Sequence, residues 1–66
     1  MEKSFGTSYG DVIVRTAMFD VDGTNVEEGI EIISIDGTFD LLGIFGYHNI
    51  EELTDDDVER LIEDHN

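Results

Sequence analysis

The apolar residues of this chain change their spacing once, near residue 50, and that change separates a sheet-forming part from a helix-forming part. The run Val12-Ile13-Val14-Arg15-Thr16-Ala17-Met18-Phe19 is rich in β-branched and aromatic residues, with apolar groups on both alternating faces, which predicts a central strand. The segments 30–35 and 38–45 flank Asp36-Gly37, a pair that favours positive φ, and together they predict a hairpin closed by a two-residue type I′ turn. In its second arm Phe39, Leu41 and Phe45 share one face, and Thr38 and Asp40 share the other with Leu42 and Ile44. Gly43 predicts a bulge there.

Beyond residue 50 the period lengthens. Thr54 followed three residues later by Asp57 reads as a variant of the capping box, because a short side-chain oxygen can accept from an exposed first-turn amide and an acid there meets the positive end of the helix. Val58, Leu61, Ile62 and His65 then recur at i, i+3, i+4 and i+7, the signature of one apolar helix stripe. The opposite surface carries Asp55, Asp56, Glu59, Glu63 and Asp64, and Arg60 stands four residues after Asp56, at the spacing of an intrahelical ion pair. Ile50-Glu51-Glu52-Leu53 predicts a preceding helical turn, His48 a loop position, and His65 a favourable contact with the negative end of the helix. The expected fold is α+β, in one acidic domain over residues 1–66: a small antiparallel sheet of about three strands with a C-terminal amphipathic helix on one face.

A chain of 66 residues forms a single core and buries only about 60% of its unfolded surface. It has no cysteine, which removes disulfides and thiolate zinc sites, so homodimerisation would add stability to so small a core. With 39% hydrophobic residues it lies above the composition at which charged chains stay disordered. The N-terminus lacks a signal-peptide apolar region and no apolar run reaches membrane-spanning length, so the expected location is cytoplasmic, or the host cytoplasm for a phage-encoded chain.

Charge sets the functional question. Seventeen Asp and Glu face three Lys and Arg, for a formal net charge of -14. Residues 1–19 are neutral, with Glu2 and Asp11 matched by Lys3 and Arg15, whereas from Asp20 onward fifteen acids meet only Arg60. Those acids are interleaved with Ile, Leu, Val and Phe at regular spacing, so they decorate structure and do not form a tail.

One motif suggests catalysis. Met18-Phe19-Asp20-Val21-Asp22-Gly23-Thr24 resembles the first signature of haloacid-dehalogenase-type phosphatases, an apolar strand ending in Asp-x-Asp-Gly-Thr. The resemblance implies Asp20 as nucleophile, Asp22 as acid/base, Thr24 in support and a Mg²⁺ ion. That family also needs several βα units, a later lysine and a further acidic pair, whereas the only lysine here is Lys3, upstream of the motif. The motif is therefore read as a strand ending in an Asp-Gly turn. Asp20, Asp22, Thr24 and Glu31 also fit positions 1, 3, 5 and 12 of a calcium loop, but the glycine falls at position 4 where an EF-hand needs it at position 6, and strands flank the window. No catalytic residue, metal ligand set or cofactor is assigned.

Acids two apart on a strand lie about 6.6 Å from one another, and acids at i and i+4 on a helix about 6 Å. Both spacings are within a factor of about two of the ~3.4 Å axial rise per charge of one DNA strand. Candidate members of such an array are Glu27, Glu28, Glu31, Asp36 and Asp40 in the sheet region and Asp55, Asp56, Asp57, Glu59, Glu63 and Asp64 on the helix. At the level of class, the chain resembles the small acidic DNA-mimic proteins that phages use against host DNA-binding proteins. The resemblance implies a non-enzymatic inhibitor whose partner is a basic DNA-binding protein, with no direct contact to nucleic acid or membrane. A nucleoid-associated protein such as HU is favoured, since its contacts go to DNA backbone and deformed shape; RNA polymerase, a nuclease, a repair glycosylase or a CRISPR effector fit nearly as well. Two other readings of the charge stay open, an acidic protein–protein adaptor and adaptation to high salt.

Overall fold

Four antiparallel strands follow one another in chain order and pair with their neighbours: β1 (Glu2–Thr7), β2 (Gly10–Asp20), β3 (Val26–Ser34) and β4 (Leu42–Phe45). A single 3-10 turn (Ile50–Glu52) leads into helix α1 (Asp55–His65), which packs on one face of the sheet. The structure is a computed structural model and describes residues 1–46 and 49–65, the Phe45 side chain excepted. The sequence readings of His48 and of the Phe45 side chain lie outside the described residues.

The register explains which residues reach the core. Phe5 pairs with Val12, Val14 with Ile32, and Ile30 with Ile44, so these side chains share one face of the sheet. All of them are buried there, together with Ile50, Leu53, Val58 and Ile62 from the 3-10 turn and α1. The helix stripe is oriented as its period predicts at Val58 and Ile62, which are fully buried, and Leu61 packs against the same cluster. His65 leaves the stripe and is exposed, its Nδ1 lying 2.9 Å from the carbonyl oxygen of Leu61 in the last turn. Burying Val58 and Ile62 contributes roughly 1.5–3 kcal/mol for each side chain, enough to hold α1 against the sheet.

The capping box forms as expected. The Thr54 N–H donates to Asp57 Oδ2 at 3.0 Å and the Asp57 N–H donates to Thr54 Oγ1 at 3.2 Å, which satisfies two amides at the start of the helix. The expected Asp56–Arg60 ion pair does not form among the described residues, where the ion pair present is Arg15–Glu31.

Four expectations are corrected. The sheet has four strands instead of three, because Lys3-Ser4-Phe5-Gly6-Thr7 carries a single large apolar residue and shows no alternation, yet pairs along its whole length with β2. The hairpin of β3 and β4 exists, but a loop over residues 35–41 closes it in place of a two-residue turn. A type I′ turn needs positive φ at both central residues, and among the described residues only glycines have it: Gly37 does (φ 79°), Asp36 does not. Asp36 instead accepts from the hydroxyls of Ser34 and Thr38, both at 3.1 Å, and Thr38 Oγ1 donates to the Tyr9 carbonyl at 2.6 Å, tying the loop to the β1–β2 turn. Phe39 packs from this loop against the core and Leu41 is exposed, so the two do not share a strand face. Gly43 makes no bulge; it sits in regular register opposite Glu31, and its missing side chain leaves room for Phe19, which reaches over from β2.

Candidate partner-binding surfaces

The same register that buries one face of the sheet assigns the alternate residues to the other. That second face carries Glu2 from β1, Asp11, Ile13, Arg15, Ala17 and Phe19 from β2, and Glu27, Gly29, Glu31 and Ile33 from β3. No described element lies over it, since α1 and the 3-10 turn pack on the opposite side. Arg15 stands in a cross-strand row between Glu2 and Glu31, and its Nε is 2.8 Å from Glu31 Oε2.

The eleven array candidates are therefore not brought together on one face. Glu27 and Glu31 belong to the uncovered sheet face, with Glu31 half-buried in its ion pair. Glu28 points to the helix side of the sheet, opposite Met18, and is exposed. Asp36 and Asp40 lie in the β3–β4 loop, and Asp36 is held below the usual carboxylate range by the Ser34 and Thr38 hydroxyls. On α1, Asp56 and Asp64 are exposed on the far side of the molecule from the uncovered sheet face, while Glu63, also exposed, lies on the flank of the helix near Tyr9.

Several helix carboxylates hold the fold together. Asp55 Oδ1 accepts from the Gly6 N–H at 3.3 Å and Glu59 Oε1 from the Ser8 N–H at 2.7 Å, so two acids one turn apart fasten α1 to β1 and its turn. These carboxylates satisfy backbone donors beside an edge strand. Asp57 is lowered by the Thr54 backbone N–H first, then by the Thr54 side chain, with Arg60 adding to the effect. Tyr9 is raised, by desolvation first and then by the nearby carboxylates of Glu63 and Glu59.

The Asp-x-Asp-Gly-Thr motif is the β2–β3 turn. The Gly23 N–H donates to Asp20 Oδ1 at 2.6 Å, and Asp22 gathers the backbone N–H groups of Thr24 (3.0 Å) and Asn25 (2.8 Å), the Asn25 side-chain amide and the Thr24 hydroxyl. The Thr24 and Asn25 backbone groups lead in holding the Asp22 carboxyl down at about 2. Both acids of the motif are thus turned back on their own loop, and Glu31 is drawn away to Arg15. Among the described residues no three His, Asp or Glu side chains gather as metal ligands do.

Sequence reasoning missed Glu2 and Asp11 as acids of the uncovered sheet face. The available signal was the odd-numbered alternation Asp11, Ile13, Arg15, Ala17, Phe19, which runs beneath the even-numbered core set Val12 and Val14. What emerges is a small acidic meander with one helix-covered face and two opposed acidic surfaces. No protein family, curated protein or solved structure matches the chain. No described helix is long and apolar enough to cross a membrane.

Proposed function

We propose that this protein is a DNA mimic, a stoichiometric inhibitor that occupies the duplex-binding surface of a basic protein. The observation that carries the reading is charge per unit length. The body measures 37 × 23 × 18 Å, close to one turn of duplex at about 34–36 Å. Its net charge of -14 along 37 Å is one charge per about 2.6 Å, against roughly 1.7 Å for double-stranded DNA. The division of the acids between opposed surfaces supports the same reading, because a duplex also presents phosphates on every side.

A protein that grips DNA through backbone charge and shape, such as the nucleoid-associated protein HU, is the favoured target. Opposite fields accelerate the encounter and make it sensitive to salt. The test is a gel-shift titration in which the protein competes with a short duplex for HU at 50 and 300 mM NaCl. Displacement of DNA at the lower salt and its loss at the higher is the expected result. Failure to displace DNA from HU or from any other duplex-binding protein at low salt removes the reading.

A further inference from the structure

We propose that the uncovered face of the sheet is where the partner docks, and that its occupant is a cationic amphipathic segment of the partner, with Lys or Arg around an aliphatic stripe. The inference deepens the proposed function and rests on its premise that the partner is basic. The two acidic surfaces differ in one respect that decides between them. The outer surface of α1 offers Asp56, Arg60 and Asp64 with no exposed large apolar side chain among them. On the uncovered sheet face, Ile13 and Ile33 are cross-strand partners, each only half-buried. Ile35 continues the row, because its N–H donates to the Asp11 carbonyl at 3.1 Å, and it is 57% exposed.

These three isoleucines form an aliphatic patch beside the exposed carboxylates of Asp11 and Glu2, with Glu27 about 20 Å further along the same face. Interfaces draw most of their affinity from a desolvated apolar centre, while rim charges chiefly set the encounter rate. A patch of this composition complements cations around an apolar stripe. It does not suit a second copy of the chain, which would bring another net charge of -14 against it.

The experiment uses the whole protein and a synthetic Leu/Lys amphipathic 14-residue peptide, with a Lys-only peptide of the same length as control. Affinities are measured by titration calorimetry at about 0.1 M salt, where screening acts over ~10 Å. Wild type is expected to bind the amphipathic peptide more tightly than the Lys-only peptide. Ile35→Ser, at an exposed position that leaves the core intact, is expected to weaken amphipathic binding about tenfold, the scale of one lost aliphatic contact. Asp64→Asn on the helix is expected to change it by less than about twofold, as a rim charge does. Equal affinity for the two peptides, or a larger loss in Asp64→Asn than in Ile35→Ser, overturns the inference. So does sedimentation showing a dimer that Ile35→Ser dissociates, which assigns the patch to a second copy.

The HU competition separates this inference from the proposed function. If wild type displaces DNA and Ile35→Ser does so equally well, mimicry stands and the docking face falls. If wild type fails to displace DNA but binds the amphipathic peptide in an Ile35-dependent way, mimicry falls and the docking face stands.

Discussion

Replacing Ile62 with alanine removes three carbons from the joint between helix and sheet. Ile62 is fully buried among Val58, Leu53 and the sheet residues of the core, so the atoms lost leave a cavity that the strands can close only in part. Ile→Ala substitutions in cores cost about 2–5 kcal/mol, and alanine's better helix propensity returns at most about 0.7 kcal/mol. The expected loss is therefore about 2–4 kcal/mol. A 66-residue domain has on the order of 3–10 kcal/mol in total, at roughly 0.05–0.15 kcal/mol per residue. Ile62→Ala should thus consume a large part of the margin, and at about 4–8 °C per kcal/mol lower Tm by roughly 10–30 °C. Urea titration followed by circular dichroism at helix wavelengths measures it, with Leu61→Ala and Asp64→Ala beside it. Leu61 is only partly buried and should cost about half as much, while the exposed Asp64 should change stability by about 0.5 kcal/mol or less. If Ile62→Ala costs less than Leu61→Ala, or under about 1 kcal/mol, the helix does not sit on the sheet by the stripe described and the packing argument fails.

Three further outcomes are expected. Thr54→Ala breaks the reciprocal cap with Asp57 and should cost about 1 kcal/mol in the same urea assay; an unchanged midpoint refutes a stabilising role for the cap. Gly10→Ala places a Cβ against the Asp36 carboxylate at a backbone φ of 96°, so it should destabilise, and Asp36→Ala in the same chain should restore part of the loss but not the backbone strain; full restoration refutes the backbone contribution. Asp22 has a folded pKa lowered to about 2, so its contribution is present above the unfolded value of about 3.9 and is lost as pH falls through the folded one. The stability difference between wild type and Asp22→Ala should accordingly be largest near pH 5 and shrink toward pH 2, and a difference independent of pH shows that the turn does not depend on the ionised carboxylate.

The legible parts of the chain were those where local chemistry and packing ask for the same thing. The helix, its cap and the buried pair Val58 and Ile62 follow from spacing alone, because a helix repeats its own face every three or four residues whatever it packs on. β2 was visible for a similar reason, its β-branched residues favouring extended backbone in any sheet. β1 was not, since Phe5 is its one buried residue and the strand is defined by a partner that lies in β2. The turn after β3 was misread because Asp36-Gly37 has the composition of a tight hairpin, while the hydroxyls of Ser34 and Thr38 stabilise a wider loop.

The acidic site was legible as composition and not as geometry. Sequence alone determined that fifteen of seventeen acids lie after residue 19, interleaved with apolar residues and so presented on folded surface. Only the tertiary structure decided where they point. Strand register sends Glu27 and Glu31 to the face away from the helix, whereas the packing of Val58 and Ile62 turns Asp56 and Asp64 the opposite way. It also decided that Asp22, Asp36, Asp55, Asp57 and Glu59 accept internal hydrogen bonds, a role that depends on backbone donors, and for Asp36 on hydroxyl donors, brought near by folding. The physical reason is that charge is a property of a residue, while direction and partnership are properties of the chain after its strands have chosen their neighbours.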